Sequence, residues 1–482
     1  MNSPPQQTDI VLAAVNARYA HTAIGQRFLR ANLGPRREHC RCLEFTLENA
    51  PADMAETVLA LSPKIVGLGA YIWNVDRVRE LARILKALDP ALWVVVGGPE
   101  TWAADASPAG FGADYLVRGE GETVFAELVA QLLEGTPSAS RVITAVPPDL
   151  DTLVLPYEDY TDNDIAHRVL YVETSRGCPC RCAFCLSAGD KSVRYYSLVA
   201  FFSCMQLLMA RGARRFKFVD RTFNLRLDRF NAVLSFFLEH WQEGMQLHFE
   251  ILPELLSEEM LIGLSRFPLD GLHLEVGVQS FDPAVLAAIN RPQDAARTEE
   301  VLHALHRRTG ARVHADLIAG LPGEGLAEFA SGFDRLLATG TQEIQVGILK
   351  RLPGAPLSEM DLPGMVFSEI PPYEVLQTPD LSFGELLRVK RFARYFERCH
   401  NSGNFPATLP LLFALRSSAF DAFMGLSDRL WSATGRTHGL SLGTLARHLR
   451  EYLLEQSPLP AAQITETVQS DLDRLPGRRG VL

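Results

Sequence analysis

Three closely spaced cysteines are the residues of this chain whose types and spacing most directly indicate chemistry. The segment SRGCPCRCAFC contains Cys178, Cys182 and Cys185, separated by three and then two residues. Three thiolates on one loop can hold three corners of a [4Fe–4S] cluster, which normally takes four thiolates, so one iron stays open to another ligand. A structural zinc site usually needs four protein ligands, commonly as two separated pairs, and no second pair is evident in the sequence. The spacing therefore favours an iron–sulfur cluster over zinc.

The other five cysteines do not extend this motif. Cys180 lies inside the loop, where its use would bring neighbouring ligands too close together for three cluster corners. Cys40 and Cys42 stand next to a predicted strand, and we interpret them as ordinary residues. Cys204 and Cys399 lie on apolar helical stretches, where a cysteine is more often buried packing than a ligand.

The cysteine loop follows the first of six predicted strands. The strand-like runs alternate with helix-like stretches and read VLYVETSRG, RRFKFVD, QLHFEIL, GLHLEVGVQS, ARVHADLIAG and EIQVGILKR. Alternating strands and helices predict a parallel sheet. Because six βα units are too few for a closed eight-unit barrel, we predict a partial, open (β/α)6 barrel whose chemistry lies at the carboxyl ends of its strands.

A second α/β unit precedes the barrel. Residues 9–134 contain five strand-like runs, DIVLAAVNA, RCLEFTL, KIVGLGAYI, LWVVVGGP and YLVRG, most of them followed by a stretch with helical spacing. Nearly continuous apolar strands separated by helices predict a parallel sheet that is covered on both faces. We therefore expect a doubly wound, flavodoxin-like domain with its ligand beyond the carboxyl ends of the strands.

These patterns predict four parts of the chain: a doubly wound domain at 1–145, a linker at 146–166, the partial barrel at 167–375 and a helical C-terminal extension at 376–482. The linker follows from EGTPSAS and VPPDLDTLVLPYEDYTDND, which are rich in Pro, Asp and Thr and are typical of a segment that runs over the surface. After about residue 375 the strand pattern stops, and Leu386, Val389, Ala393 and Phe396 fall on one helical face.

The cysteine loop and its place after the first barrel strand resemble the radical S-adenosylmethionine (SAM) superfamily. The resemblance implies that the amino and carboxylate groups of SAM chelate the open iron, and that the reduced cluster cleaves SAM to a 5′-deoxyadenosyl radical. It also implies SAM contacts from one aromatic residue of the loop and from residues at later strand ends. These residues are Phe184, Asp220, Glu250, Glu275, Gln279, Ser280, Ile318 and Gly320. Each of them alone is as often a structural turn or packing residue, and their order at successive strand ends favours the functional interpretation.

Three loops of the first domain resemble those of the cobalamin-binding domain attached to one large radical SAM subgroup. GGPE follows the fourth strand, GEG follows the fifth, and GAYIWN lies near the same strand ends; a plain flavodoxin-like turn, for which one glycine usually suffices, is the alternative. The expected cobalamin contacts are Gly97, Gly98, Pro99, Glu100, Gly119, Glu120 and Gly121, with Tyr71, Trp73 and Asn74 placed to cover one face of the cobalt. A packing role for Trp73 is an equal alternative.

The lower cobalt ligand is the point where the sequence departs from another cobalamin pattern. Many cobalamin domains carry Asp-x-His-x-x-Gly, whose histidine binds cobalt. Here Tyr19 stands where the aspartate belongs, and His21 is one residue further from Gly25 than the pattern requires. A ligating imidazole normally needs a partner that fixes its tautomer, and none is supplied locally. We therefore expect cobalamin with its own base detached and without His21 below the cobalt.

The segments RLPGAPL (351–357) and PPYEVLQT (371–378) resemble parts of one cobalamin radical SAM subgroup whose helical C-terminal extension has no known role. We expect this extension to close the open barrel mouth, because a radical must be kept away from water and stray hydrogen donors.

Composition limits the partners of the chain. Its 482 residues carry 47 basic and 57 acidic side chains, a net charge of −10, which argues against a nucleic-acid binder held by phosphate contacts and favours a small-molecule or peptide substrate. The N-terminal residues resemble no secretion signal, and no apolar run reaches the length of a membrane span. We expect a cytoplasmic location and no membrane partner, and the resemblance implies an electron donor such as flavodoxin or ferredoxin.

The leading hypothesis for function is methyl transfer to an unactivated carbon or phosphorus centre, in which one SAM methylates cobalamin and a second SAM yields the radical. One alternative is a ring contraction or cyclisation without methyl transfer, which would yield 5′-deoxyadenosine without S-adenosylhomocysteine. Another is a non-catalytic cobalamin or redox sensor, which would not turn over SAM. A tRNA methylthiotransferase is disfavoured, since it would need further N-terminal cluster cysteines and a basic RNA-binding module. The identity of the substrate is not readable from the sequence.

Overall fold

Two six-stranded parallel sheets and a C-terminal group of helices are the main elements of the chain, of which a computed structural model describes residues 8–189 and 192–474. The sheets confirm the predicted α/β class, with a doubly wound domain followed by an open partial barrel.

The first sheet has the strand order β2-β1-β3-β4-β5-β6, and every neighbouring pair is parallel. Its strands are β1 (Ile10–Asn16), β2 (Cys40–Thr46), β3 (Ile65–Gly69), β4 (Trp93–Gly97), β5 (Tyr115–Arg118) and β6 (Val142–Thr144). The helices of this part are α1 (Ile24–Ala31), α2 (Pro51–Leu59), α3 (Val75–Leu88), α4 (Pro108–Phe111), α5 (Glu122–Leu133) and α6 (Asp162–His167). The first five strands have the order expected of a flavodoxin-like fold.

The sixth strand and the segment that follows it differ from the sequence-based expectation. The expectation of five strands was wrong because β6 has only three residues, too few to produce a periodic pattern. The segment 146–166 also does not simply run over the surface. Tyr157 and Tyr160 are each only 1% exposed, and Tyr160 donates a 2.6 Å hydrogen bond to the Tyr171 carbonyl of the next strand. A phenol that packs its ring and bonds its hydroxyl to backbone fixes this segment to the second sheet.

The second sheet is the predicted open barrel, with the strand order β7-β10-β11-β12-β13-β14 and parallel pairing throughout. The strands of this region are β7 (Leu170–Val172), β8 (Ser175–Arg176), β9 (Arg194–Tyr195), β10 (Arg215–Phe218), β11 (Gln246–Ile251), β12 (Leu272–Gln279), β13 (Arg312–Ala319) and β14 (Glu343–Ile348). Its helices are α7 (Leu198–Ala210), α8 (Leu227–Glu239), α9 (Glu258–Ser265), α10 (Pro283–Ala288), α11 (Ala295–Arg308) and α12 (Leu326–Ala338). The short strands β8 and β9 pair antiparallel and frame the cysteine loop.

The two faces of the barrel sheet differ in polarity. On β12, Leu272, Leu274 and Val276 are buried in the same core as residues of the surrounding helices. The alternate positions on neighbouring strands carry polar and ionisable side chains, which include Lys217, His248, His273, Glu275, His314 and Asp316. Because successive side chains of a strand point to opposite faces, the apolar residues face the helices and the polar residues face the inside of the open barrel.

The C-terminal part begins with a hairpin and continues with helices. The hairpin consists of β15 (Val366–Phe367) and β16 (Val375–Gln377), and the helices are α13 (Phe383–Phe396), α14 (Leu409–Phe413), α15 (Ala419–Thr434), α16 (Leu442–Gln456) and α17 (Ala461–Asp473). Strands therefore do not stop at residue 375, because β16 continues across the predicted boundary. Helix α13 buries Leu386, Val389 and Phe396 on one face and begins with a capping box between Ser382 and Glu385.

Within the described residues, none of the helices is long and apolar enough to cross a membrane.

Candidate functional site

The cysteine loop is held by contacts from distant parts of the barrel. Cys182 is buried, while Cys178 and Cys185 are half-buried. Arg291 donates a 3.3 Å hydrogen bond to Cys182 Sγ, and Cys178 Sγ lies 3.5 Å from the Thr222 hydroxyl. These contacts place the loop at the carboxyl ends of the barrel strands, as the barrel rule predicts.

Cys180, for which we predicted no ligand role, lies against Cys178. Its thiol donates a hydrogen bond that lowers the pKa of Cys178. The thiolate is the form of cysteine that binds metal, and this contact favours that form.

Arg291 is a site residue that the sequence did not indicate. Besides Cys182, it donates a 2.5 Å hydrogen bond to the Gly277 carbonyl at the end of β12. A Cβ at Gly277 would stand 2.6 Å from Gln279 Nε2 and 3.1 Å from Arg291 Nη2, so the absence of a side chain there makes room for both groups. No local motif marks Arg291, because its role depends on a strand end that is 14 residues away.

Four of the predicted SAM residues lie near the loop with groups that can meet a ligand. Gln279 has φ of +70°, and its buried Oε1 has no hydrogen-bond partner among the described residues. Burial raises the pKa of Glu250 to about 7, with opposing influence from Arg221. Phe184 and Ile318 pack against the same apolar cluster beside the cysteines.

The remaining predicted SAM residues have other roles in the structure. Asp220 is 1% exposed and accepts 2.6 Å hydrogen bonds from the hydroxyls of Thr174 and Ser175, so its carboxylate anchors the chain that leads into the cysteine loop. Ser280 donates a 2.5 Å hydrogen bond to Glu324, a buried carboxyl on the loop after β13. These internal bonds occupy both side chains.

Glu275 and Gly320 are also engaged within the protein. Glu275 accepts from His248 at 2.9 Å and from Lys217 at 3.3 Å, and the hydrogen bond from His248 lowers its pKa. Gly320 has φ of +87°, and a Cβ there would stand 2.6 Å from a methyl group of Val375 in β16. The glycine of this loop therefore serves the packing of the C-terminal hairpin.

The three loops predicted to contact cobalamin meet at the carboxyl edge of the first sheet. Gly98, which begins a short turn that includes Pro99, has φ of +101°, and a Cβ there would stand 2.5 Å from the Ala70 carbonyl oxygen. Tyr71 and Trp73 stack at 4.6 Å with an angle of 8° between their planes, and Trp73 is 46% exposed. Trp73 thus presents an exposed, flat aromatic face beside a closely packed glycine loop, and a macrocycle can lie against such a surface.

Asn74, Glu100 and Glu120 contact protein instead. Asn74 is 1% exposed and donates to the carbonyls of Val15 and Gly69, which joins two strand ends. Glu100 is 2% exposed and accepts a 2.6 Å hydrogen bond from the hydroxyl of Tyr373, while burial raises its pKa.

Arg176 joins the edge of the first sheet to the cysteine loop. Its guanidinium binds Glu120 and Glu122 of the first domain at 2.7 Å each and Glu173 of the barrel at 2.9 Å. Glu120 also pairs with Arg194 on β9. Because Arg176 stands two residues before Cys178, these pairs bring the loop containing Gly119, Glu120 and Gly121 next to the predicted cluster loop.

His21 is held by the barrel. Its Nδ1 lies 2.8 Å from the Tyr171 hydroxyl, and burial lowers its pKa. Tyr171 therefore supplies a partner for the imidazole that the sequence does not show locally, and the expectation that His21 does not bind cobalt stays a prediction.

Three family models match the chain. The model described as "B12 binding domain" matches residues 10–129, that of the "Radical SAM superfamily" matches residues 172–336, and one described as "Protein of unknown function (DUF4080)" matches residues 363–475. Together they cover β1 to β5 of the first sheet, most of the barrel up to α12, and the C-terminal hairpin and helices.

Curated relatives and solved structures resemble the chain over much of its length. The 2-(S-pantetheinyl)-carbapenam-3-carboxylate methyltransferase of Streptantibioticus cattleyicolor is 24% identical, and the match covers 87% of this chain and 69% of that protein. The cobalamin-dependent radical SAM methyltransferase TokK of Streptomyces tokunonensis is 25% identical over 64% of this chain and about half (49%) of its own length. The radical SAM methyltransferase TsrM of Kitasatospora setae, solved with cobalamin and a [4Fe–4S] cluster, has 18% identity and a TM-score of 0.64, with 97% of this chain and 99% of that chain covered.

Proposed function

We propose that this chain, which belongs to the cobalamin-binding radical SAM enzymes, transfers a methyl group to an unactivated carbon or phosphorus centre of a small-molecule or peptide substrate. The matches to a B12-binding domain and to the radical SAM superfamily confirm the resemblance read from the cysteine and glycine loops. The observation that carries the proposal is the contact of Arg176 with both domains, which brings the loops expected to hold the two cofactors together. Methyl transfer is also the activity named for two of the relatives.

The donor groups present suit the three cofactors that the two domains indicate. Cys178, Cys182 and Cys185 would hold the cluster. Oε1 of Gln279, which has no hydrogen-bond partner among the residues that the structure describes, offers an acceptor for the ammonium group of SAM. Trp73 and the glycine loop at Gly98 would receive cobalamin. When bound, these groups supply a methyl carrier and the 5′-deoxyadenosyl radical that removes a hydrogen atom from the substrate.

The chain itself positions these groups and shields them from water. Tyr373, between β15 and β16, bonds Glu100 beside the cobalamin loops, and a Cβ at Gly354, which follows β14, would stand 3.2 Å from Cβ of Trp102. The segment from β14 to β16 therefore packs against a loop of the first domain, and this packing supports the exclusion of water that radical chemistry requires.

The proposal also includes an electron donor and a cellular location. Reductive cleavage of SAM needs one electron, and we propose flavodoxin or ferredoxin as the donor. A cytoplasmic location agrees with such a donor.

The products of SAM test this function. The reconstituted enzyme is incubated without oxygen with SAM, cobalamin and a chemical reductant, and the products are quantified by mass spectrometry. We expect both S-adenosylhomocysteine, from loss of the methyl group, and 5′-deoxyadenosine, from radical cleavage. Cys182→Ala should abolish 5′-deoxyadenosine, whereas the matched Cys180→Ala should retain it.

Other product patterns would contradict the proposal. Formation of 5′-deoxyadenosine without S-adenosylhomocysteine would point to a rearrangement or cyclisation. The absence of both products, with cofactors bound, would point to a sensor.

A further inference from the structure

The inner face of the barrel carries a group of two histidines and one glutamate at the amino ends of β12, β13 and β14. His273 is the second residue of β12, His314 the third of β13, and Glu343 the first of β14. His314 is paired directly with Glu343 across the sheet, and His273 lies one strand further in. Neighbouring parallel strands are only about 4.8 Å apart, so these side chains meet on one face.

The ligand atoms of this group lie close enough to share one ion. One donor atom from each of His273, His314 and Glu343 can be chosen so that all three lie within 4.8 Å of one another. His314 Nδ1 is 3.6 Å from Glu343 Oε2. His273 Nε2 is buried and, within the described part of the chain, has no hydrogen-bond partner. A buried imidazole nitrogen without a partner is costly unless something binds it.

The surroundings orient the group as the neighbours of a metal site do. Asp316 Oδ1 lies 3.2 Å from His314 Nε2, the nitrogen on the far side of the ring from Glu343. The two atoms do not form a hydrogen bond in this geometry, but a carboxylate this close to one ring nitrogen is placed to accept its proton, which would leave the other nitrogen for a metal. Arg312 holds Oε1 of Glu343, and this contact leaves Oε2 directed at His314.

This group is separate from the cysteine loop. His273 stands six residues before Gln279 on the same strand, and a strand rises about 3.3 Å per residue. The two ends of β12 are therefore about 20 Å apart. The contacts of Cys182 with Arg291 and of Arg291 with Gly277 belong to the carboxyl end.

We propose that His273, His314 and Glu343 bind one divalent transition-metal ion at the amino end of the barrel. Two imidazoles and one carboxylate suit Zn²⁺ and its first-row neighbours, and three protein ligands leave a coordination position for water or another ligand. The ion joins the edge strand β14 to β13 and β12 from inside the open barrel. This site does not depend on methyl transfer or on either cofactor of the carboxyl edge.

The test is zinc binding to the intact chain, with Zn²⁺ alone as the probe. The reconstituted protein is incubated with Zn²⁺ and desalted, and its zinc is counted by mass spectrometry. We expect about one zinc ion per chain, lost in the double variant His273→Gln/His314→Gln and retained in the control His167→Gln, an exposed histidine of α6. Zinc should also raise the melting temperature of the parent protein and leave that of the double variant unchanged.

Further variants keep the result unambiguous. Asp316→Asn should weaken zinc binding by roughly 10–100-fold while the site persists. If the double variant does not fold, the single variant Glu343→Gln, expected to bind zinc more weakly, decides the question. The same measurements in a Cys178→Ala/Cys182→Ala/Cys185→Ala background exclude zinc on the cysteine loop. Zinc content that does not change when the histidines or Glu343 are replaced would overturn the proposal, as would a parent protein that binds no zinc.

Discussion

At the scale of single residues, two neighbouring glycines of the β4 loop differ in their tolerance of a side chain. Gly98 must be glycine, whereas Gly97 can be replaced. Gly98 has φ of +101°, and a Cβ there would lie 2.5 Å from the Ala70 carbonyl oxygen, whereas the nearest atom to a Cβ at Gly97 is 3.6 Å away. We predict that Gly98→Ala lowers the free energy of unfolding by about 1–3 kcal/mol, because the backbone strain adds to a clash with main chain. Denaturant unfolding of the two variants measures the difference.

Gly97→Ala is the matched control, and it should change the free energy of unfolding much less than Gly98→Ala. Equal losses in both variants would mean that the close approach of the β4 loop to Ala70 has no energetic consequence.

Glu324 makes the stability of the protein depend on pH. It is 2% exposed, and burial raises its pKa from 4.5 to about 7. Between these values the folded state keeps a proton that the unfolded chain releases, so the contribution of Glu324 to stability is largest below pH 4.5 and is lost as the pH rises to about 7. We predict that Glu324→Gln is more stable than the parent by about 1–3 kcal/mol at pH 8, and that this gain disappears near pH 4.5.

The measurement is thermal or denaturant unfolding of both proteins across this pH range. Glu466→Gln, which changes an exposed carboxyl of α17, is the control and should show no such pH-dependent gain. A gain for Glu324→Gln that is the same at every pH would contradict the raised pKa.

At the scale of elements, the hydrogen bond between Glu100 and Tyr373 ties the C-terminal hairpin to the first sheet. Tyr373→Phe leaves a buried carboxyl without its phenol donor, and we predict a loss of about 1–3 kcal/mol in the free energy of unfolding. In a double-mutant cycle with Glu100→Ala, which removes the acceptor, the coupling energy should be about 0.5–3 kcal/mol.

The control for this cycle is Tyr19→Phe, at a tyrosine that is 54% exposed, where the change should stay within about 0.5 kcal/mol. Additive effects of Tyr373→Phe and Glu100→Ala would show that the C-terminal hairpin is not coupled to the first sheet through this bond.

Most elements could be predicted from the sequence because their patterns are local. Strands β1 to β5 and the six barrel strands carry apolar runs long enough to be recognised, and α13 shows a helical face. The sequence did not reveal β6 or the hairpin of β15 and β16, because strands of two or three residues have no measurable period. The burial of Tyr157 and Tyr160 was also missed, since a segment rich in Pro and Asp predicts a surface position.

At the scale of the whole molecule, the candidate site was predictable only in part. The cysteine spacing and the glycine loops are local, and they stand in the structure at the carboxyl edges of their sheets. The roles of Arg291, Arg176 and Tyr373 could not be predicted from the sequence, because each depends on a distant partner. These partners, Gly277, Glu120 and Glu100, lie 14, 56 and 273 residues away. The SAM contacts expected of Asp220 and Ser280 stay predictions, and the hydrogen bonds of both side chains to other residues of the protein could not be predicted from the sequence.

The most direct test of the central claim, one chain that holds a [4Fe–4S] cluster beside cobalamin, is the cofactor content of the anaerobically reconstituted protein. Iron, sulfide, zinc and cobalamin are quantified together with the absorption spectrum. We predict about four irons and about one cobalamin per chain, with the iron lost in Cys178→Ala/Cys182→Ala/Cys185→Ala and retained in Cys180→Ala. Iron without cobalamin would contradict the cobalamin site, and zinc on the cysteine loop in place of iron would contradict the account as a whole.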